Sequence, residues 1–549
     1  MTFGGRIPLN VRTSLKRALL DTKPVSPSFV PKNPTALSTD LIKACFWEGL
    51  VDRARLLFDE MPYRDSVAYT VMISGYASCE LYRDALTTFQ RMLVEEESMH
   101  SPNEFVLSST LKACGGIGSL ACGRALHCFA VKVGVDRNVY VENVLVGLYA
   151  GCGMSMDDAC TVFRGIRERN AVSWTTLISG FAHNGQGFDA IMVFRQMLLE
   201  GAELNPFSLS IAVRACASIG SHFCGRQLHA AVIKHRLDYS LPVMNSILDM
   251  YCRCCCLLEA RKYFHEMPDK DIITWNTLIA GYERLDSREA LHVFAWMVCL
   301  GIRPNSVTYT SATAACGNSA SLNCGQQVHG GIIRSGFEDD TALANALIDM
   351  YAKCGSIINS RLIFSCMSDR NLLSWTSMII GYGVNGNALD AIKLFDEMTS
   401  SGIKPDEIAF MAVLSACSRA GLVEEGLGYF ECMREYNITP SVEIYGCVVD
   451  LLGRAGKVEE AYRLVERIPF EHDESVWGAL LGACRAHSDQ TIGKLAAKRV
   501  LQFRPGRPST YVNTSQIFAA DGAWEQYSKV RQLLGRSGNK KETGRSWMG

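Results

Sequence analysis

Cysteine and histidine are the residue types in this sequence that could bind a metal or form cross-links, and the chain contains 22 cysteines and 11 histidines. Most cysteines recur at fixed intervals in equivalent sets: Cys114, Cys216, Cys316 and Cys417; Cys122, Cys224 and Cys324; and Cys152, Cys254 and Cys354. Thiols in the same phase of a repeat are expected to pack as small apolar side chains in a reducing compartment.

Cys252 and Cys255 form a C-x-x-C pair within the run CRCCC, a spacing that zinc sites use. Aligned with the next copy of the same phrase, Cys252 replaces Ala352 and Cys255 replaces Gly355. The pair should therefore occupy a helix and the turn after it. Because no second pair stands at zinc-site spacing, we predict no metal site.

Three histidines, His127, His229 and His329, also recur in phase, and the pattern places them at the start of a second helix. Packing or capping explains a repeated histidine there better than catalysis does. No catalytic residue is predicted.

These intervals come from an internal repeat of about one hundred residues. Trp174, Trp275 and Trp375 lie in copies of one phrase, 101 and 100 residues apart, and Tyr69 begins the series 105 residues earlier. One copy, NAVSWTTLISGFAHNGQGFDAIMVFRQMLLEGAELN, returns as NLLSWTSMIIGYGVNGNALDAIKLFDEMTSSGIKPD. With two other repeated phrases, the unit divides into three pieces of about 35, 35 and 31 residues.

Each piece has the pattern of a helical hairpin. In the copy at 372–406, Asn385-Gly386 should turn the chain, and Gly402 and Pro405 should end the second helix. Apolar residues at helical spacing form one stripe on each helix: Trp375, Met378, Ile379 and Tyr382 on the first, and Ala391, Leu394, Phe395 and Met398 on the second. Because one hairpin cannot bury both stripes, stacked neighbours must supply the core. The predicted fold is all-α: a right-handed α-solenoid superhelix of helix-turn-helix repeats of about 31–36 residues, with thirteen units between Ala36 and Asp473 and two diverged ones after them.

The composition excludes several classes of protein. The 549 residues are 48% hydrophobic and 20% charged with a net charge of -1, unlike a disordered, fibrous or broadly polyanion-binding chain. No apolar run reaches the roughly 18 residues that a membrane helix needs. The charge is uneven, however: residues 1–35 carry +5 and residues 474–549 carry +7, which leaves -13 for residues 36–473.

Residues 1–35 are basic and almost free of acids, and they can form a helix with Ile7, Val11, Leu15 and Leu19 on one side. This pattern is typical of an organelle transit peptide, with the mitochondrion favoured and the chloroplast as the alternative. The other interpretation is a frayed terminus with chance positive charge. In either case residues 1–35 stand outside the predicted fold.

Residues 36–541 resemble the plant pentatricopeptide repeat proteins whose repeats alternate between P, L and S variants. The matching phrases are ISGYxxxGxxxDAxxxFxxMxxxGxxPD, LKAC…GxxxH and LIDMYAKCGS, and the segment from Glu474 is similar to the family's E-type extension. The resemblance implies binding of single-stranded organelle RNA. It also implies that the chain marks one cytidine for conversion to uridine and recruits a separate deaminase through residues 474–549.

Members of the family often continue into a cytidine-deaminase domain, which holds zinc through an H-x-E motif and a distant C-x-x-C. Here the H-x-E motif is His472-Asp473-Glu474, and the only cysteine beyond it is Cys484. We therefore expect that this chain lacks the deaminase domain, needs no cofactor and is not an enzyme by itself.

In this family each repeat recognises one nucleotide through a few side chains. The resemblance places two of them at the fifth residue and the last residue of a hairpin, which we term a specificity pair. The pairs in P and S units are Thr39 with Asp65, Thr70 with Asn103, Asn143 with Asn170, Thr175 with Asn205, Asn245 with Asp271, Asn276 with Asn305, Asn345 with Asn371, and Thr376 with Asp406.

The pairs use a narrow set of residue types, Thr or Asn first and Asp or Asn second. At the fifth position, a short Thr leaves room for a purine, whereas a longer Asn reaches a pyrimidine. At the last position, Asp can accept from the imino N–H of G or U, whereas an Asn amide can donate to the ring nitrogen of A or C. The alternative is that these residues are helix N-caps. The set weakens after Asp406, where Met411 with Ser441 and then Gly446 occupy the same positions.

An RNA-editing specificity factor is thus the leading hypothesis from the sequence. A role in organelle RNA splicing or stability, and a helical-repeat scaffold that binds proteins, remain as alternatives.

Overall fold

The computed structural model describes residues 34–95, 102–153, 156–237, 239–468, 474–503 and 508–536. All secondary structure in these ranges is helical. The thirty helices, all 9 to 14 residues long, are α1 Pro34–Trp47, α2 Val51–Asp59, α3 Ser66–Ser78, α4 Tyr82–Glu95, α5 Glu104–Ile117, α6 Leu120–Val133, α7 Val139–Cys152, α8 Asp157–Gly165, α9 Ala171–His183, α10 Gly187–Leu199, α11 Pro206–Ser218, α12 His222–Lys234, α13 Leu241–Arg253, α14 Leu257–Glu266, α15 Ile272–Leu285, α16 Ser287–Cys299, α17 Ser306–Asn318, α18 Leu322–Arg334, α19 Thr341–Lys353, α20 Ile357–Cys366, α21 Leu372–Val384, α22 Ala388–Ser400, α23 Glu407–Ala420, α24 Val423–Cys432, α25 Val442–Arg454, α26 Val458–Glu466, α27 Glu474–His487, α28 Gln490–Gln502, α29 Pro508–Ala520 and α30 Trp524–Arg536.

The helices pair into hairpins, each made of an odd-numbered helix and the even-numbered helix after it. The chain forms two compact units, residues 1–270 and residues 271–549. Within each unit, every odd-numbered helix packs against the odd-numbered helices before and after it, and each even-numbered helix packs against the odd-numbered helices on either side of it in the chain. The predicted all-α fold of stacked hairpins is confirmed.

The hairpin of α21 and α22 shows why the sequence folds this way. Its two stripes are buried at Trp375, Met378 and Ile379 and at Ala391, Leu394, Phe395 and Met398. Gly386, with φ of 81°, makes the turn between the helices, a conformation that glycine adopts without steric cost. Phe395 also contacts Phe410 of α23 in the next hairpin, with ring centroids 5.2 Å apart, so neighbouring hairpins share one core.

Four of the repeated cysteines, Cys114, Cys216, Cys316 and Cys417, are buried in the core, whereas Cys122 is exposed. All 22 are free thiols, and burial raises the pKa of Cys114 to about 11 and that of Cys216 and Cys316 to about 12. These thiols are therefore protonated at neutral pH and pack as small apolar groups. The residues that the structure describes contain no group of three or more His, Cys, Asp or Glu side chains that could hold a metal ion.

Two features of the sequence analysis lie outside the described residues: the basic segment before Pro34, and His472 with Asp473. Among the helices that the structure does describe, none has the length and apolar character needed to span a bilayer.

Cys255 occupies a turn position that equivalent hairpins fill with glycine. Its φ is 59°, whereas the equivalent Gly355 has φ of 75°, and its side chain is exposed. A residue with a Cβ is strained in this region, so removal of the Cβ in Cys255→Gly should raise the free energy of unfolding by about 1 kcal/mol. The greater conformational entropy of glycine in the unfolded chain offsets part of this gain. Urea unfolding should show a higher midpoint for C255G than for C255A, which keeps the Cβ; equal midpoints would contradict the prediction.

Candidate nucleic-acid interface

The last residue of every specificity pair is the N-cap of the helix that follows it. In all eight, Oδ1 accepts a hydrogen bond from the backbone N–H three residues later, at 2.7–3.0 Å. At five caps, a Ser or Thr hydroxyl also accepts from the cap's own N–H: Asn170, Asn205, Asp271, Asn305 and Asn371. The alternative that these residues are N-caps is therefore correct as a description of their structure.

Capping does not use the whole side chain. Since the cap bond is made by Oδ1, each Asn keeps the two N–H groups of Nδ2, and Asp65 and Asp406 keep their second carboxylate oxygen. The cap also fixes the side-chain rotamer, because Oδ1 must stay over the first turn of the helix. Capping thus leaves other atoms of each oriented side chain for a ligand.

Three of the four fifth-position threonines have already used their hydroxyl proton. Thr70, Thr175 and Thr376 donate to the carbonyl oxygens of the residues four positions earlier, at 2.6, 2.5 and 2.8 Å. Each hydroxyl oxygen therefore retains its capacity to accept a hydrogen bond.

Fifth-position asparagines are buried or nearly so, and two of them contact their partner. Asn276 Nδ2 donates to Asn305 Oδ1 at 3.1 Å, and Asn345 Nδ2 lies 3.5 Å from Asn371 Oδ1. The structure thus brings the two members of these pairs together. The Oδ1 atoms of Asn143 and Asn345 have no hydrogen-bond partner among the described residues, although buried polar atoms usually find one.

The repeated histidines hold these asparagine-bearing helices against the preceding hairpin. His127, His229 and His329 bond through Nδ1 to the hydroxyls of Tyr149, Tyr251 and Tyr351 at 2.8–2.9 Å. Burial lowers the pKa of His127 and His329, which favours neutral imidazoles. Their predicted location at a helix start is wrong: each is the eighth residue of α6, α12 or α18, because those helices begin seven residues earlier.

The sequence analysis missed a third set of residues on the same surface. The second residue of many odd-numbered helices is a large apolar side chain that stays about half exposed: Val67, Phe105, Tyr140, Val172, Phe207, Ile273, Val307, Leu373 and Ile408. Each lies two residues after a cap, outside the helical phase of the core. That phase difference was the available signal in the sequence.

One cavity shows the three sets together. It has a volume of about 390 Å³, opens along α7, α9 and α11, and is lined by the pair Thr175 and Asn205 and by the exposed side chains of Val172 and Phe207. Gly147 and Gly151 of α7 also line it, and their lack of side chains keeps the cavity open. Polar atoms of fixed orientation between two apolar faces suit a flat heterocycle with hydrogen-bonding edges.

L units and the last repeats differ from this arrangement. At the end of the L unit 306–340, one carboxylate oxygen of Asp340 accepts from the hydroxyl of Ser306, and the other accepts from the backbone N–H groups of Ala342 and Leu343. The bond from Ser306 is the main cause of the lowered pKa of Asp340. Both of its oxygens are therefore engaged. Ser441 makes no cap hydrogen bond with its side chain, and its hydroxyl has no partner among the described residues.

Comparison with protein families gives three matches. The PPR repeat family matches residues 169–218, 270–318 and 370–419, and the PPR repeat matches residues 39–65, 67–96, 243–272, 343–372, 408–438 and 443–469. The E motif matches residues 487–549.

Curated relatives extend the similarity along nearly the whole chain. A pentatricopeptide repeat-containing protein of Arabidopsis thaliana is 53% identical over 547 residues, which cover 99% of this chain and 89% of the relative. A mitochondrial protein of the same kind and organism is 35% identical, with 94% and 93% covered. A chloroplastic one is also 35% identical, but the match covers 91% of this chain and only 57% of the relative.

Among solved structures, the chain is similar to the crystal structure of the pentatricopeptide repeat protein PPR10 from maize. The TM-score is 0.58 at 18% identity, with 96% of this chain and 82% of PPR10 covered, which shows a common fold. PPR10 has also been solved in complex with an 18-nucleotide psaJ RNA element.

Proposed function

Because the chain belongs to the pentatricopeptide repeat family and carries the E motif, we propose that it binds single-stranded organelle RNA in a sequence-specific manner and marks one cytidine for conversion to uridine. The observation that carries the RNA-binding part is the cavity at Thr175 and Asn205, where a specificity pair lies between two exposed apolar side chains. A base inserted there would stack on Val172 and Phe207 and present its edge to the pair.

Within a unit, the atoms left free by capping determine the base. Asn205 offers N–H groups to the bare N1 of adenine, and Asp406 offers a carboxylate oxygen to the N1–H of guanine. Thr175 and Thr376, whose protons are already donated, accept from the amino groups of those purines. Because the cap fixes the rotamer before RNA binds, little side-chain entropy is lost on binding.

The charge distribution agrees with recognition through base edges. Residues 36–473 carry a net charge of -13, so phosphate neutralisation contributes little to affinity across the repeats. Stacking on the apolar second-position residues and hydrogen bonds to the specificity pairs must then supply most of the binding free energy.

Residues 474–549 are proposed to recruit the deaminase. This segment carries a net charge of +7, in contrast to the acidic repeats, and its residues 487–549 match the E motif. We infer that a separate deaminase-bearing protein docks on this basic segment and supplies the zinc and the glutamate that deamination requires. The chain itself contributes the choice of site.

Asp406→Asn should change the base preferred by its unit from G towards A. The substitution replaces the free carboxylate oxygen by an N–H donor while an Asn caps the helix as well as an Asp does. Affinity for the original RNA should fall by about 1–3 kcal/mol, by analogy with single mismatches in DNA recognition, and affinity for the G-to-A RNA should rise.

Asp489→Asn is the matched control, because Asp489 caps α28 through the same kind of bond, to the backbone of Ile492 at 3.0 Å. It should leave both affinities unchanged. If Asp406→Asn weakens all RNAs equally, Asp406 is only a structural cap. Filter binding of both variants to the two RNAs measures these ratios.

Residues 1–35 are proposed to direct the chain into the mitochondrion, on account of their net charge of +5. A fluorescent protein fused behind residues 1–40 should enter that organelle, and replacing Arg6, Arg12, Lys16 and Arg17 by Gln should abolish import. A cytosolic signal from the unmodified fusion would disprove the targeting role. A plastid signal would show that residues 1–40 direct import into the chloroplast and not into the mitochondrion.

A further inference from the structure

The residue directly before the last-position residue differs between P and S units. In the P units that end in Asn103, Asn305 and Asp406 it is a proline, which fixes φ of the backbone there, and in the P unit that ends in Asn205 it is Leu204. In the S units that end in Asp65, Asn170 and Asn371 it is Arg64, Arg169 or Arg370. Both units must hold the same kind of side chain in place, so the arginine should perform a task that proline performs elsewhere.

Each of these arginines donates two hydrogen bonds to the end of the preceding helix. Arg370 donates from Nε to the carbonyl of Phe364 and from Nη2 to the carbonyl of Ser365, both at 2.9 Å. Arg64 makes the same bonds to Phe58 and Asp59 at 3.0 and 2.9 Å, and Arg169 to Phe163 and Arg164 at 3.4 and 3.3 Å. These carbonyls belong to the last turns of α20, α2 and α8, which lack the helical N–H four residues later. Those of Phe58 and Phe163 also accept a backbone N–H from Met61 and Ile166, at 3.3 and 3.2 Å.

The guanidinium also lies over the ring of the phenylalanine whose carbonyl it binds. The distance from Cζ to the ring centroid is 5.0 Å for Arg370 on Phe364 and 4.9 Å for Arg169 on Phe163. In addition, Arg169 donates from Nη1 to Glu200 at 3.2 Å, at the end of α10 in the next hairpin. A planar group held at a helix end and on a ring has little freedom.

On the basis of the function proposed above, we propose that Arg64, Arg169 and Arg370 are positioning residues that set the base specificity of their units. Each fixes the backbone one residue before the last-position side chain, as proline does in P units. Asn371 must then point Nδ2 in one direction while its Oδ1 stays 3.0 Å from the backbone N of Ser374. Without the arginine, the loop should sample several positions, and Asn371 should lose discrimination more than affinity.

Arg370→Met tests the proposal, because it keeps an unbranched apolar stem but removes the two donors. Wild-type protein should prefer C over A by about tenfold at the nucleotide assigned to Asn345 and Asn371. In R370M that preference should fall below about threefold, so that less than 1 kcal/mol of discrimination remains. The preference for G over A at the next unit, Thr376 with Asp406, should not change.

Arg361→Met is the matched control. Arg361 lies over the same Phe364 ring at 5.4 Å, and the substitution removes the same charge, but it is not next to Asn371. R361M should keep both preferences. Arg370→Lys should have an intermediate effect, since Lys270 at the equivalent position makes a single bond to the carbonyl of Met267 at 2.6 Å. If R370M loses its helical circular dichroism, the base preferences of Arg370→Lys decide the test instead.

Equal weakening of all RNAs by R370M, with the C-over-A preference retained, would overturn the positioning role and leave only a structural one. If the wild-type protein discriminates at neither nucleotide, base recognition itself fails, and the positioning role fails with it. The wild-type measurement thus separates failure of this inference from failure of the proposed function.

Discussion

Purified protein should bind an RNA containing G-A-N-Y-A-N-U-Y-N-Y-G at least a thousandfold more tightly than the same RNA with its G, A and U positions exchanged. The register follows from the specificity pairs in chain order: Thr with Asp for G, Thr with Asn for A, Asn with Asp for U, and Asn with Asn for a pyrimidine, with C preferred. L units are assigned no base, and the chain runs parallel to the RNA from 5′ to 3′, as in the family. The exchange changes five positions, each worth about 1–3 kcal/mol by analogy with DNA mismatches.

The control for this experiment is an RNA in which only the N positions are exchanged. It should bind as well as the original, because Asp340 at the end of one L unit has both oxygens engaged within the protein. If the fully exchanged RNA binds within about threefold of the original, a difference below 1 kcal/mol, the specificity pairs do not recognise bases. The proposed function would then fail.

Loss of the protein should leave one organelle cytidine unedited. The family arrangement places the final G of the register six nucleotides upstream of that cytidine, with the five nucleotides between them unspecified. Because the choice of site is proposed to depend on this series of specificity pairs, conversion at that site should drop from nearly complete to undetectable. Sequencing of organelle transcripts with and without the protein measures this directly.

The same sequencing separates the alternatives. Unspliced introns or shifted transcript ends without a changed base would indicate a role in splicing or stability. Unaltered transcripts would favour a protein-binding scaffold. Complementation with the wild-type chain should restore the edited base, and complementation with Asp406→Asn should restore it less well, since that variant weakens recognition of the final G.

The fold could be predicted because the repeat presents the same evidence many times. Trp174, Trp275 and Trp375 fix the phase of their hairpins. Because a single hairpin cannot bury both of its apolar stripes, the repeats must stack on one another. The fifth-position and last-position residues could be named from the family pattern. That Asn205 and Asp406 cap helices with one atom and leave another free could not be predicted, because it depends on where α11 and α23 begin to within a single residue.

Other parts of the candidate site depend on packing that periodicity does not describe. Val172 and Phe207 look like core residues by type, and only their phase relative to the buried stripe indicates that α9 and α11 leave them 52% and 68% exposed. His127 was misplaced because a repeated phrase shows its own period but not the first residue of its helix. The bonds from Arg370 reach six residues back across a loop, a spacing that no helical pattern indicates.

The shared cap chemistry of Asp and Asn has a consequence for how such arrays evolve. Codons for these two amino acids differ by one nucleotide. Under the proposed function, a single point mutation at position 406 would therefore change the base that a unit prefers without removing its cap. Target choice can therefore drift while the scaffold stays under constant selection. An organelle genome that acquires a new cytidine in need of correction could be matched by substitution at a few such codons in an existing gene copy, with no new fold required.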